Sequence, residues 1–195
     1  SYRREREQEK ERYHNEIIGY HGSEEGLETL LGYQLFSIGN RADSAALVYQ
    51  VDYVLDGYVK KAGTNFVLSV GRLIGSQPEL KGEQRLRKED IYWEMPRCYQ
   101  WDITVNLPEG YRISPEGLER LNVKVENDCG AFIVQATTED GTLRIKAEKR
   151  INHKTEPVAN WEKLLEITDA ANSYEALSIV FQATINPPTS PTTGY

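Results

Sequence analysis

Between Tyr99 and Leu107 every odd position is large and apolar (Tyr, Trp, Ile, Val, Leu), and every even one is polar (Gln, Asp, Thr, Asn). A period of two over nine residues is what a β-strand with one dry and one wet face requires, and no helix satisfies it. Pro108-Glu-Gly110 then ends the run as a turn. The same alternation returns in Leu47–Leu55, in Leu121–Val125, in Phe132–Ala136 and in Leu143–Ala147. Asp140-Gly141, set between two such runs, is a strong signal for a two-residue hairpin. The chain is therefore expected to be mainly β, an antiparallel β-sandwich whose core is a meander with one wet face.

The remaining stretches fill in around that meander. Leu30–Phe36 predicts a strand. Gly39–Asp43 and Gly63-Thr-Asn65 predict turns, and Phe66–Val70 predicts a returning strand. The polar run Gly75–Glu89 is expected to be a surface loop. Trp161, Leu164, Leu165, Thr168 and Ala171 recur at helical spacing, with Asn160 as N-cap, so one C-terminal helix is expected before a last strand at Leu177–Ala183. Residues 1–22 predict a charged linker helix with Arg3–Glu7 and Arg12–Glu16 at i,i+4, residues 23–185 the β domain, and residues 186–195 a Pro/Thr-rich disordered tail.

Composition removes several function classes. The net charge of −7 over 195 residues argues against binding a phosphate backbone, which needs clustered Lys and Arg. No apolar run is long enough for a membrane span. Ser1 opens into a charged segment, which reads as a piece of a longer chain.

The search for chemistry gives no catalytic residue, no metal site and no cofactor. A nucleophilic cysteine needs a nearby histidine base. His14, His21 and His153 stand in a charged helix, in a Gly-flanked loop and after a meander strand, while Cys98 and Cys129 stand on a wet face and in a turn. Neither thiol begins a helix, where thiolate is favoured. Setting Leu107 opposite Leu121 brings Cys98 level with position 130, so the two either join through a bulge at Asn127–Gly130 or stay unpaired; the pleat favours unpaired thiols. CxxC, HxH and HExxH spacings do not occur, and Gly71–Ser76 lacks the spacing of a phosphate loop. The aromatics Tyr92, Trp93, Tyr99 and Trp101 remain as ligand platforms. Tyr99 and Trp101 fall on the apolar face and are expected in the core, which leaves Tyr92 and Trp93 as weak binding candidates for a protein or glycan.

Five stretches in order carry a resemblance: Val59-Lys-Lys-Ala-Gly63, Val70-Gly-Arg-Leu-Ile-Gly75, Arg87 with Asp90-Ile-Tyr92, Ile103-Thr-Val-Asn-Leu-Pro-Glu-Gly-Tyr111, and the Trp161 helix before its apolar strand. Together they resemble the C-terminal β-rich region of multidomain transglutaminase-like proteins of Bacteroidetes. The resemblance implies export to the periplasm or cell surface. It also implies an upstream transglutaminase-like domain of the same polypeptide as partner, with any Cys-His-Asp machinery there and nothing here to match it. The expected function is that of a non-catalytic accessory domain; the alternative is an independent carbohydrate- or peptide-binding module.

Overall fold

The structure is a computed structural model, and it describes residues 8, 11, 12, 15, 16, 27–40 and 45–184. Its contacts divide the chain into two compact units, Ser1–Tyr58 and Val59–Tyr195, a boundary inside the span 23–185 expected to form one β domain. Most of the expected linker helix, with Arg3–Glu7, His14 and His21, lies outside the described residues, as do positions 41–44 and the tail 186–195.

In the first unit the described residues before position 20 are helical, and Arg12 Nε lies 3.6 Å from Glu16 Oε1. Among its other described residues, β1 (Leu27–Asn40) and β2 (Ala45–Leu55) pair antiparallel along their length. Leu30 faces Tyr53, Tyr33 faces Val51, and Leu35 faces Tyr49, so the alternation of β2 is met by apolar residues on β1. Three bulges in β1, one beside Gly32, shift the register along the ribbon.

The second unit is mainly β, with antiparallel sheets and one long C-terminal helix. Its principal sheet is ordered β6-β10-β9-β8, from β6 (Arg97–Asn106), β8 (Val123–Asn127), β9 (Gly130–Glu139) and β10 (Thr142–Ile151). Asp140 and Gly141 join β9 to β10 with φ of 48° and 72°, the two left-handed residues of a type I′ turn. A smaller sheet, β3-β4-β12-β7, is built from β3 (Val59–Ala62), β4 (Asn65–Leu68), β7 (Tyr111–Arg112) and β12 (Ile179–Ala183). A two-residue bridge pairs β5 (Ile91–Tyr92) with β11 (Thr155–Glu156).

The strand at 97–106 is where pairing departs from the expected meander. It pairs with β10, not with the strand that follows it, so Leu107 does not face Leu121 and Cys98 stands opposite Arg150. The segment between β6 and β8 leaves the sheet to form β7 and the short helix α1 (Pro115–Glu119), started by Pro115 and by the Ser114 hydroxyl accepting from Gly117 N. Because β6 is an edge strand, Tyr99 is 48% exposed and Trp101 only half-buried, where core positions were expected.

Helix α2 (Trp161–Glu175) packs on β8 and β9. It buries Leu164, Leu165, Ile167, Ala171 and Tyr174, while β9 buries Phe132, Val134 and Ala136, and the Phe132 and Tyr174 rings meet edge to face at 5.7 Å. Val70 heads a 3-10 turn, Val70–Ile74, instead of ending a strand. Gly71 makes that possible: a Cβ there would lie 1.9 Å from Tyr174 O, and its N–H donates to Leu177 O.

Candidate functional site

The β8–β9 turn and the loop after β10 lie side by side because Gly130 pairs with Ile151. Asn152 fixes the junction twice, donating its backbone N–H to Cys129 O and its side-chain amide to Asp128 O, both at 2.9 Å. This brings Cys129 to the loop that carries His153 and Glu156, across a separation that no local pattern reports.

Glu156 is the centre of the group and is 2% exposed. Its Oε1 lies 2.5 Å from His153 Nδ1, whose N–H donates to the carboxylate, and its Oε2 accepts from Asn160 Nδ2 at 2.8 Å. Burial opposes ionisation, but the hydrogen bonds from Asn160 and His153 outweigh it and hold the carboxyl below its ordinary value. Asn160 occupies the N-cap position of α2, as its spacing implied, yet its side chain makes no cap bond because it is committed to Glu156.

Cys129 is 1% exposed and feels the negative charge of the same carboxylate. Burial and the adjacent negative charges of Glu156 and Asp128 push that thiol up to about 11. Burial first, and these charges second, therefore hold the proton on sulfur. A cysteine, a histidine and an acid are thus grouped here, with the histidine paired to the acid. Both cysteines are free thiols, Cys98 exposed and Cys129 buried. Among the described residues no group of three His, Cys, Asp or Glu side chains is placed to hold a metal.

The binding candidates sit at the edge of this group. Trp93 is half-buried and packs, with Ile151 and Trp161, on the cluster of Ile91, Cys129 and Leu164. Tyr92, the next residue, is 63% exposed, and Lys154 Nζ lies 5.2 Å from its ring centre. Period-2 geometry sends the two rings to opposite sides of β5.

The segment 75–89 does run over the surface, but it is strapped along α2. Gln77 N–H donates to Glu175 Oε2, Arg85 grips Asp169, Trp161 Nε1–H donates to Arg85 O, and Asp90 accepts from Val158 N–H. The Arg87 guanidinium stacks over the Trp161 ring at 5.4 Å. Gln77 Oε1 also accepts from Lys149 Nζ at 2.9 Å, where burial lowers the lysine's affinity for its proton.

The opposite, wet face of the main sheet forms an open groove of ≈ 590 Å³. Its charges satisfy one another: Arg150 bridges Glu126 and Glu148, and Gln100 Nε2 donates to Glu148 at 3.0 Å.

Residues 70–181 match the family model described as Domain of Unknown Function with solved-structure structure (DUF3858), more than half of the chain. The chain belongs to the DUF3858 family. The DUF3858 match begins at the 3-10 turn under α2 and ends inside β12, so it covers the principal sheet, the strap, the helix and the Glu156 group. No curated protein and no solved structure matches the chain. Among the described residues no helix is long and apolar enough to cross a membrane.

Proposed function

We propose that this DUF3858 chain is a non-catalytic accessory domain of a transglutaminase-like protein exported to the periplasm or cell surface. It packs on an upstream catalytic-fold domain of the same polypeptide, or presents substrate or partners to it. The observation that carries the reading is the state of Cys129. Its thiol is buried, keeps its proton to about 11, and faces the charge of a carboxylate that is itself paired with His153. Such a group locks the β8–β9 turn to the start of α2, which suits a rigid supporting domain.

The test is to add the 195-residue chain to the segment encoded directly upstream of Ser1 and measure binding by calorimetry. Binding to a Cys-containing α/β domain is the expected result. Hydrolase or acyl-transfer activity in the chain alone, abolished by Cys129→Ala, would overturn the proposal.

A second reading, an independent carbohydrate- or peptide-binding module, is favoured by the exposed Tyr92 ring. Glycan or peptide binding by the chain that is lost in Tyr92→Ala would support it.

A further inference from the structure

The strand β6 has one side paired and one side open. Leu107 N–H donates to Gly141 O at 2.8 Å, which makes Leu107/Gly141 a hydrogen-bonded pair. By alternation the same holds for Val105/Leu143, Ile103/Ile145 and Trp101/Ala147 along the β6–β10 ladder. The backbone N–H and C=O groups of Cys98, Gln100, Asp102 and Thr104 therefore point away from the sheet. Among the described residues no strand pairs with this side. The strand is ten residues long and carries no proline, no lysine and no register shift, the devices by which natural sheets blunt an edge.

We propose that this open edge is a docking site for a second copy of the chain, β6 running antiparallel to β6 about a two-fold axis at Trp101. The argument for a copy is that one register makes the strand complementary to itself. With Trp101 opposite Trp101, Gln100 faces Asp102 and Cys98 faces Thr104, each an outward-facing pair that exchanges two backbone hydrogen bonds. The amide of Gln100 has two N–H donors. One serves Glu148 within the chain, and the second meets the partner's Asp102 carboxylate. Shifting the register by two residues instead sets Asp102 against Asp102, which like charge disfavours. On the apolar side Tyr99 faces Ile103, so the half-covered ladder is completed by the same ladder of the other copy. Tyr99 and Trp101 already stack within the chain, ring centres 6.1 Å apart, and present a preformed surface.

The test is sedimentation equilibrium of the 195-residue chain from low micromolar to several hundred micromolar, with two variants. Thr104→Pro removes an outward N–H and none that serves β10, so it lowers the association constant by at least about tenfold while far-UV circular dichroism is unchanged. Thr104→Cys sets a thiol opposite the partner's Cys98, and oxidation yields a disulfide-linked dimer that Cys98→Ser prevents. Should Thr104→Pro fail to fold, the cross-link decides alone. A chain monomeric at every concentration overturns the proposal, as does a dimer that Thr104→Pro leaves intact or that Thr104→Cys does not cross-link.

Discussion

Arg85 holds Asp169 with both terminal nitrogens, Nη1 to Oδ1 at 2.8 Å and Nη2 to Oδ2 at 2.7 Å, although 84 residues separate them. The fork is the middle fastening of the strap between Gln77 and Asp90, and only a guanidinium fits both oxygens. Arg85→Lys is therefore expected to free the strap more than it harms the fold. Amide exchange in 77–90 should accelerate severalfold, while the melting temperature falls by no more than about 3 °C. Equal protection in both proteins would mean that the fork does not hold the strap.

Glu156 gives the acid limb of stability. Its carboxyl titrates lower when folded than when unfolded, so its contribution is complete above the ordinary glutamate value of 4.5 and is lost as pH falls through the folded value. Glu156→Gln is expected to flatten the pH dependence of unfolding below about pH 5. Glu156→Ala, which leaves Asn160 and His153 without their acceptor, should cost about 2 kcal/mol or more at pH 7 by urea unfolding.

The two thiols should separate cleanly. Cys98 is exposed on the edge strand and Cys129 is buried with its proton held to about 11. A thiol-disulfide reagent at pH 8 is expected to titrate one thiol per native chain, and the second only in denaturant. Two fast thiols in the native chain would break the link between burial and inactivity on which the non-catalytic reading depends.

The sequence showed the β class, the Asp140-Gly141 hairpin and the C-terminal helix because each rests on local periodicity. Partner choice does not. The alternation in 99–107 specifies a face and says nothing about which strand lies alongside, and β6 joined β10 across the 35 residues 107–141, whose α1 and β7 leave no mark at that strand. The Glu156 group was hidden for the same reason. His153, Glu156 and Asn160 share one loop, a local hint, but Cys129 reaches them only through the β9–β10 register. Trp93 and Tyr92 look alike in sequence and differ in role because the pleat turns one inward.

That last contrast supplies its own test. Trp93 packs on Ile91, Cys129 and Leu164, whereas Tyr92 projects into solvent beside Lys154. Trp93→Ala opens a cavity next to the Glu156 group and is expected to cost about 2–3 kcal/mol, below the full range for a buried tryptophan because the ring is half covered. Tyr92→Ala should stay within about 0.5 kcal/mol of the parent chain, since its loss uncovers no core. Urea unfolding of the two variants measures both. If binding to a glycan or peptide is found, its loss in Tyr92→Ala at unchanged stability assigns the contact to that ring. Loss in Trp93→Ala alone, in step with the fall in stability, assigns it to the fold.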